Sequence, residues 1–282
     1  KYLDLYARPF KKTWAHDEYQ FNKYLAPWHD RRIHDVTRAD VQEFHVRLGE
    51  TVGQTSANRV KSLLSKLYTF AIEQGLHDRN PCYKVKKFTE RSRDRKLEAD
   101  EIPRLFAELD KEPNQTFADF IRMALYVGAR RGNTLAMRWE DISLTRQEWR
   151  IPETKSGQSL VVPLASTPMK ILKRRRKATG NSPWVFPSRS GSGHLASPRK
   201  TWLRLCERAK IKGLTIHDLR RSFASWQVAT GASETVIGKS LGHAAGSRAT
   251  SVYARANLDA VRRSAEAATT AMQAAAKKGG GR

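Results

Sequence analysis

The residues of this chain best suited to chemistry are cationic and phenolic side chains that occur in a fixed order. They are Arg130, Lys155, His217, Arg220, His243 and Tyr253. A phosphodiester repels anionic nucleophiles, and its transition state spreads further negative charge over the equatorial oxygens. Fixed cations offset that charge, and arginine offers a planar fork that matches two phosphate oxygens at once. The pattern predicts that Arg130 and Arg220 bind one phosphate.

A tyrosine and a lysine would complete this chemistry. The phenol of Tyr253 can form a stable but reversible phosphoester once it is deprotonated, so we predict that it is the nucleophile. The departing sugar oxygen needs a proton, and Lys155 is the predicted acid. Lys155 lies on a short turn with Ser156 and Gly157, between two apolar segments typical of strands. Such a hairpin could carry the lysine into a DNA groove.

The two histidines would add further donors. His217 and Arg220 are three residues apart, so they share one face if their segment is helical. His243 follows Leu241 and Gly242 and would donate to a non-bridging phosphate oxygen. Each motif alone is common in proteins as a solvated surface pair, a helix end with a capping glycine or a packed tyrosine. The complete set in this order is what indicates a function.

Taken in order, these motifs resemble those of the tyrosine recombinases, the phage integrase family. The motifs are 128–132 (Gly-Ala-Arg-Arg-Gly), 153–157 (Glu-Thr-Lys-Ser-Gly), 217–221 (His-Asp-Leu-Arg-Arg), 241–243 (Leu-Gly-His) and 251–255 (Ser-Val-Tyr-Ala-Arg). The resemblance spans nearly the whole chain. One departure is Asn133, because the family commonly carries an acidic residue three positions after its first arginine. An amide there keeps an acceptor but removes a charge.

The resemblance implies a site-specific DNA recombinase that cuts and rejoins strands through a 3′-phosphotyrosine and a free 5′-hydroxyl. It implies that His217 takes part in proton transfer from the tyrosine, and that a homo-tetramer assembles on double-stranded DNA at specific attachment-type sites. DNA-bending accessory proteins and an arm-binding domain before residue 1 are further expectations from the family. The helix after Tyr253 is a candidate for reaching a neighbouring protomer, with packing in its own domain as the alternative.

Two other functions would use similar residues. A type IB topoisomerase would break strands through the same phosphotyrosine but relax supercoils as a monomer, and the resemblance of the first domain favours recombination. A non-enzymatic DNA-binding protein on the same fold is the second alternative, and the intact catalytic set argues against it.

The composition agrees with a DNA substrate. The chain has 52 Lys and Arg residues against 28 Asp and Glu residues, a formal net charge of +24. Such a charge favours binding to a polyanion but does not identify which one. Candidate phosphate contacts outside the catalytic set are Arg59, Lys61, Lys66, Arg93, Arg95 and Lys239. A need for solubility explains these surface cations nearly as well.

Length and patterning predict two domains joined by a linker. At 282 residues the chain exceeds what one hydrophobic core usually covers. A dense run of basic residues without apolar periodicity indicates a linker at 89–96. We therefore predict a helical domain over 1–88 and a second domain over 97–282 that ends in a C-terminal helix and tail. The resemblance implies that they are the core DNA-binding domain and the catalytic domain.

Periodicity predicts a mainly α fold with a small antiparallel β-sheet. In 1–88 it indicates one helix within 14–28, one after the capping-box-like 37–40, and one from Thr55 or Ser56 to Gly75. The helices expected in the second domain are 100–109, 116–127, 131–137, 167–177, 197–210, 217–230, 233–241, 247–253 and 258–272. Strands are expected at 149–152 and 159–164, on either side of Lys155. The resemblance implies a helical core-binding domain plus a mixed α/β catalytic domain of the tyrosine-recombinase type.

We expect neither a metal nor a cofactor. The chain lacks a Gly-x-x-x-x-Gly-Lys-Ser/Thr phosphate loop and a convergent carboxylate cluster for two Mg²⁺ ions. Cys82 and Cys206 have neither zinc spacing nor disulfide density, which suits a reducing cytoplasm. We also expect no membrane helix, which needs about 18 to 20 apolar residues, and no secretory signal. The expected location is cytoplasmic, at a prokaryotic nucleoid or as a phage-encoded protein.

Overall fold

The computed structural model describes residues 1–153, 159–189, 193–242 and 254–278, and it divides the chain into two compact units. Unit 1 is Lys1–Arg93 and unit 2 is Asp94–Arg282. The division falls inside 89–96, the segment expected to link two domains. Each unit has its own hydrophobic core. That the units correspond to the two functional domains stays a prediction.

The regular structure described in unit 1 is helical. Its α-helices are α1 (Arg8–Phe10), α2 (Trp14–Tyr24), α3 (Arg38–Thr51) and α4 (Gln54–Glu73). Shorter turns precede and connect them, namely a π-helical turn at Leu3–Ala7 and 3-10 turns at Ala26–Trp28 and Ile33–Asp35. The core contains Val41, Phe44 and Leu48 of α3 together with Val60 and Leu64 of α4. These residues recur at helical spacing, so each helix buries one apolar face.

The starts of α3 and α4 show one correct and one wrong prediction. The capping box at the start of α3 is confirmed, because Thr37 accepts a hydrogen bond from the Asp40 N–H and the Asp40 carboxylate accepts one from the Thr37 N–H. The expected cap of α4 at Thr55 or Ser56 is wrong, because α4 begins at Gln54 with Gly53 as its N-cap residue. Gly53 has a φ of 112°, which glycine adopts without strain, and this permits a very short connection from α3.

Unit 2 surrounds its core with helices. They are α5 (Glu101–Asp110), α6 (Gln115–Val127), α7 (Arg131–Leu135), α8 (Ser166–Thr179), α9 (Arg199–Arg208), α10 (Asp218–Ala229), α11 (Glu234–Ser240) and α12 (Ala254–Lys278), with a 3-10 turn at Trp139–Asp141. Helix α6 is buried on nearly all sides, as its largely apolar sequence predicts. Helix α10 packs against both α6 and α12.

A small antiparallel sheet completes unit 2. Its strands, in spatial order, are β1 (Ile142–Ser143), β2 (Glu148–Ile151) and β3 (Leu160–Pro163). Trp149 pairs with Ile142 on one side and Val162 on the other, and its ring is buried in the core. The sequence did not indicate β1, because two residues are too few to show an alternating pattern. The prediction of a mainly α fold with a small antiparallel sheet is confirmed.

Helix α12 is longer than the predicted 258–272 and packs in its own unit. Its core residues Ala265, Ala268 and Met272 are buried, and its neighbours include α5, α10 and α11. Three of the six residues added at its C-terminal end are alanine, which favours helix without any apolar periodicity. Over the described residues α12 therefore packs within its own unit, which is one of the two alternatives that the sequence left open. The expected helix at 247–253 lies outside the described residues.

Candidate active site

Two main-chain carbonyls hold the guanidinium of Arg220. Its Nη1 donates to the Gly128 oxygen at 2.8 Å and its Nη2 donates to the Leu241 oxygen at 2.6 Å. Both carbonyls lie at helix C-terminal ends, since Gly128 caps α6 and Leu241 caps α11. Such ends carry partial negative charge and unsatisfied oxygens, which stabilise a cation. Among the residues described, no carboxylate pairs with Arg220.

Close packing fixes the carbonyl of Gly128. This glycine adopts a left-handed φ of 63°, and a Cβ placed on it would lie 2.2 Å from Cδ1 of Phe223. Phe223 follows Arg220 by about one turn of α10 and is almost fully buried. A side chain at position 128 would meet both backbone strain and this ring. Helix α10 therefore carries Arg220 and also positions one of the carbonyls that bind it.

Positive charge accumulates around Arg220. Burial, followed by the charge of Arg130, lowers the pKa of Arg220 to about 10. The two guanidinium groups are thus close enough to repel each other. Arg130 is the half-buried N-cap residue of α7, and within the described part of the chain its guanidinium has no hydrogen-bond or ion-pair partner. Asn133 supplies no negative charge nearby, so an incoming anion would relieve the repulsion.

His217 lies beside the arginines at the N-cap of α10. Partial burial lowers its pKa below the ordinary value of 6.5, and the charges of Arg220 and Arg221 lower it further, while Asp218 opposes them. The Asp218 carboxylate accepts hydrogen bonds from the main-chain N–H and the hydroxyl of Thr215 at 2.8 and 2.7 Å. These bonds tie the first residue of α10 to the turn that precedes it. The lowered pKa of His217 favours the neutral imidazole at pH 7. A neutral imidazole can accept a proton.

Three of the six predicted catalytic residues, Lys155, His243 and Tyr253, lie outside the described residues. Strands β2 and β3 remain paired as far as Ile151 and Leu160, which flank the predicted lysine turn.

The segment just before His243 contacts one of these strands. Gly242 has a φ of 66°, and a Cβ there would lie 2.5 Å from Cδ2 of Leu160. The preceding residue, Leu241, supplies the second carbonyl to Arg220. Tertiary packing therefore joins Arg220, the start of β3 and the chain that leads to His243.

The structure separates the candidate DNA contacts of α4. Arg59 and Lys66 line one open pocket of about 380 Å³ on unit 1, which we call the basic pocket because Lys11 and Lys87 also line it. Lys61 is not among its lining residues, and its charge instead acts on the buried Cys82. Residues seven apart lie on nearly the same face of a helix, whereas residues two apart point in almost opposite directions.

The remaining candidate contacts differ in their surroundings. Arg95 donates to the carbonyl of Lys212 at 3.2 and 3.1 Å and pairs with Glu101 at 2.5 Å, which gives it an intramolecular role. Arg93 is exposed, and Lys239 is half-buried on α11. Contact of any of these residues with DNA stays a prediction.

Sequence reasoning missed the groups that position Arg220. Every residue has a main-chain carbonyl, so the sequence does not show which carbonyls will bind Arg220. Phe223 looked like any apolar residue of an amphipathic helix. The signal that could have been used is Gly128 itself, two residues before Arg130, because glycine permits a close approach to the backbone. Lys11 of the basic pocket was also missed.

Across the ranges that the structure describes, no helix is both long and apolar enough to cross a bilayer. Over the same ranges, no three His, Cys, Asp or Glu side chains gather in the way metal ligands do.

Both units match known families of sequences. Residues 95–259 match the phage integrase family, and residues 12–75 match the phage integrase N-terminal SAM-like domain. The chain is 31% identical over 205 residues to the shufflon-specific DNA recombinase of Escherichia coli, covering 69% of this chain and 51% of that protein. It is 32% identical over 198 residues to the integrase of Salmonella phage P22, covering 65% and 49%.

A third relative is the prophage integrase IntF of Escherichia coli strain K12, which is 28% identical over 174 residues, covering 59% of this chain and 36% of that protein. The chain therefore spans half or less of the length of the integrases named here, and 51% of the shufflon-specific recombinase.

Solved structures share the fold. A lambda integrase dimer bound to a COC′ core site superposes with a TM-score of 0.71 at 19% identity, covering 86% of this chain and 72% of that one. A lambda integrase tetramer bound to a Holliday junction gives 0.69 at 19% identity, covering 85% and 70%. The Tn1549 transposon integrase in complex with transposon right end DNA gives 0.68 at 18% identity, covering 86% and 93%.

Proposed function

Because this chain belongs to the phage integrase family, we propose that it is a site-specific DNA recombinase that cuts and rejoins strands through a phosphotyrosine. The observation that carries the proposal is the pair of arginines. Arg220 is desolvated and bound only by backbone carbonyls among the described residues, and Arg130 is close enough to lower its pKa. Placing one cation beside another at a desolvated site costs free energy that a bound anion recovers. A phosphodiester fits two guanidinium forks.

Cleavage begins when Tyr253 attacks the scissile phosphate. The phenolic oxygen forms a bond to phosphorus while the bond to the 5′-oxygen breaks, leaving a 3′-phosphotyrosyl linkage and a 5′-hydroxyl. Lys155 gives the leaving oxygen its proton. Arg130 and Arg220 offset the charge that develops on the non-bridging oxygens, to which His243 also donates.

His217 accepts the phenolic proton in this scheme. Its lowered pKa supports the role, because a neutral ring at pH 7 has a lone pair available and an imidazolium does not. Rejoining follows the same steps in reverse, with the 5′-hydroxyl of a partner strand as the attacking group. The phosphotyrosine linkage retains the free energy of the broken phosphodiester bond, which drives rejoining.

The basic pocket of unit 1 supplies DNA affinity in this proposal. Arg59 and Lys66 line it with Lys11 and Lys87, so four cations face one open surface. Contacts of this kind with phosphates release counterions and position a duplex without reading its sequence. Unit 2 would then bring its arginines to the phosphate to be cut.

Assembly on DNA is part of the proposal. Exchange between two duplexes breaks four strands, and each protomer supplies one tyrosine, so four protomers act together. Specific attachment-type sites, DNA-bending accessory proteins and action in the cytoplasm, where a prokaryotic chromosome or phage genome lies, belong to the same proposal.

Covalent capture on DNA tests the proposed function. The protein is incubated with nicked suicide duplexes taken from the DNA that flanks its coding sequence, and with supercoiled plasmid. A covalent adduct with strand exchange supports a recombinase, whereas relaxation without exchange indicates a type IB topoisomerase. Binding with no adduct indicates a non-enzymatic DNA-binding protein.

Tyr253→Phe should abolish the adduct and leave DNA affinity near normal, since only a hydroxyl is lost. An adduct formed by the Phe variant would assign the nucleophile to another residue.

The role of Lys155 has its own test. Lys155→Ala should slow cleavage of a normal 5′-oxygen substrate far more than cleavage of one with a 5′-bridging sulfur, because a thiolate leaves without a proton. Equal slowing of both substrates would mean that Lys155 does not act as the acid.

A further inference from the structure

Helices α10, α11 and α12 are joined at the buried amide of Gln227. Gln227 lies on α10 and is fully buried. Its Oε1 accepts a hydrogen bond from Ser240 Oγ at 2.8 Å, and its Nε2 donates to Ser264 Oγ at 2.8 Å. Ser240 is the last residue of α11, and Ser264 lies in α12. One amide therefore binds a serine on each of two other helices, and we call these three side chains the glutamine bridge.

The glutamine bridge lies next to a carbonyl that binds Arg220. Arg220 and Gln227 are seven residues apart on α10, so they lie on nearly the same face of that helix. Arg220 Nη2 donates to the Leu241 oxygen at 2.6 Å, and Leu241 directly follows Ser240 in the chain. Two residues of α10 thus bind two consecutive residues at the end of α11. The glutamine bridge therefore holds the end of α11 whose carbonyl binds Arg220.

The glutamine bridge also joins the two ends of one stretch of the sequence. Residues 241–263 lie between the two serines, and this stretch contains both His243 and Tyr253. Gln227 binds the residue immediately before the stretch and the residue immediately after it. Because both hydroxyls contact the same amide, the bridge fixes where the stretch begins and where it ends.

Burial makes this contact selective for one geometry. An amide that is removed from water must find a donor for its oxygen and an acceptor for its N–H groups. Ser240 supplies the donor and Ser264 supplies the acceptor. An apolar side chain could fill the same space but would make no directional bond to either helix. The polar residue at position 227 therefore indicates that the relative placement of the three helices matters.

We propose that Gln227 is a positioning residue for strand cleavage, because it holds both ends of the stretch that delivers His243 and Tyr253. The inference rests on the proposed function, in which these two residues act on one phosphate. Gln227 acts through Ser240 and Ser264 rather than on the reacting atoms. A displacement of about 1 Å at a reacting group can slow a reaction about 10²-fold. Loss of the glutamine bridge should therefore lower the rate of cleavage much more than the affinity for DNA.

Other contacts keep α12 in place when the glutamine bridge is removed. Arg262 donates to the carbonyls of Arg146 and Gln147 at 3.1 and 3.2 Å, in the connection between β1 and β2. Glu266 accepts a hydrogen bond from the Ser166 N–H at 2.7 Å, at the start of α8. Unit 2 should therefore stay folded in variants of the bridge, and a lower rate in them would not be due to unfolding.

The first test variant is Gln227→Met, which has a similar length but no amide. Ser240 keeps the Ile237 carbonyl as an acceptor at 2.8 Å, and Ser264 can donate to a carbonyl one turn earlier in its own helix. On a nicked suicide duplex, the single-turnover rate of adduct formation should fall about 10–100-fold, while the dissociation constant changes less than about twofold. An unchanged rate would overturn the inference.

Gln227→Glu separates positioning from packing. Glutamate places two oxygens where the amide atoms lie, and both serine hydroxyls can donate to them, so the bridge can persist. Burying a carboxyl group costs more stability than burying a thioether. The Glu variant should therefore be less stable than the Met variant in chemical denaturation and yet form the adduct faster. A rate that is lower in the Glu variant than in the Met variant would indicate a purely structural role and would overturn the inference.

Ser264→Ala tests one of the two hydrogen bonds. It should slow adduct formation by itself but cause no further slowing in Gln227→Met, where that bond is already lost. Thr269→Val is the matched control, because Thr269 is buried on the same helix and its hydroxyl has no hydrogen-bond partner among the described residues. The control should leave the rate unchanged. Full multiplication of the effects of Ser264→Ala and Gln227→Met would show that the two side chains act separately, which would contradict the bridge.

Amide hydrogen exchange without DNA gives a readout that does not depend on cleavage. The Leu241 and Gly242 N–H groups donate to the Ile237 and Lys239 carbonyls at 3.0 Å and close the last turn of α11. Both amides should exchange at least about tenfold faster in Gln227→Met than in the wild type. Equal exchange would overturn the inference. Absence of adduct with the wild-type protein would instead reject the proposed function, and the exchange data would still show whether Gln227 holds α11.

Discussion

The two basic regions of the molecule hold their charge in different ways. In unit 2, Arg220 is desolvated, bound by two helix-end carbonyls and perturbed by Arg130. In unit 1, the basic pocket mixes its cations with the carboxylates of Asp17 and Glu90, and Arg59 is exposed. The charge of Arg220 is held by the backbone, whereas the charge of Arg59 stays hydrated.

This difference suggests different tasks for the two regions. A preorganised, desolvated cation acts strongly on charge that develops at one atom, which is what a transition state requires. Hydrated surface cations are screened by salt and contribute to affinity without demanding a single geometry. Changes in unit 2 should therefore alter the rate of cleavage, and changes in the basic pocket should alter binding.

The largest effect is expected from Arg220→Lys. The variant keeps the positive charge but loses the planar fork, so it cannot bind both carbonyls and a phosphate in the same geometry. We expect the single-turnover rate of adduct formation to fall by about 10²–10³, with DNA affinity changed little. Arg221→Lys is the matched control, because Arg221 pairs with Asp218 on the same helix and a lysine can retain that pairing. An equal loss in the control would remove the distinction between the two arginines.

The next largest effect is expected from Gly128→Ala. A methyl group 2.2 Å from the Phe223 ring, on a left-handed residue, should lower the free energy of unfolding by about 1–3 kcal/mol. Cleavage should slow because the carbonyl that binds Arg220 moves. Chemical denaturation of the single variants and of Gly128→Ala/Phe223→Ala measures the coupling between them. Strictly additive losses would contradict direct packing of Gly128 on Phe223.

A pH profile examines the role of His217. The folded-state pKa of His217 is below 6.5, so kcat/KM for cleavage should stay constant as the pH falls to 6.5. Below the lowered pKa, kcat/KM should fall about tenfold per pH unit. The unfolded chain takes up this proton more readily than the folded one, so stability also falls as the pH drops below about 6.5. His217→Asn should flatten the acid limb of kcat/KM. Persistence of that limb in the variant would assign it to another group.

The smallest effect is expected in the basic pocket. Arg59→Ala and Lys66→Ala should each reduce the slope of log affinity against log salt by about 0.9, with cleavage of bound DNA unchanged. Lys61→Ala is the matched control from the other face of α4 and should leave the slope unaltered. If Lys61→Ala reduces the slope as much as Arg59→Ala, the pocket is not the DNA-facing surface. Fluorescence anisotropy over a salt series provides the measurement.

Predictions from sequence succeeded where a few neighbouring residues decide the structure. The capping box of α3 needs only Thr37 and Asp40, and the end of α6 follows from Gly128. They failed where the deciding contact comes from elsewhere or the pattern is too short. Strand β1 has two residues, and α4 starts at Gln54 because of the tight connection through Gly53.

The candidate site divides in the same manner. The identity and order of the reactive residues were readable, because a phosphodiester reaction demands particular functional groups. The surroundings of these residues could not be predicted from the sequence. The sequence grouped Lys61 with Arg59 and Lys66, although helical geometry separates them, and it gave Arg95 a possible DNA contact where the structure also uses it to bind Glu101.

The sequence by itself determined the helix-rich character of the chain, the local caps and the chemical types at the site, since these depend on side chains and contacts a few residues apart. Tertiary structure decided how Arg220 is held, because its two carbonyl partners are 92 and 21 residues away along the chain. It likewise decided the hydrogen bonds between the Asn58 side chain and the Phe88 backbone, which are 30 residues apart. Such contacts form only when packing brings distant helices together. No local sequence pattern encodes which carbonyl will bind a given arginine or which ring will pack against a given residue.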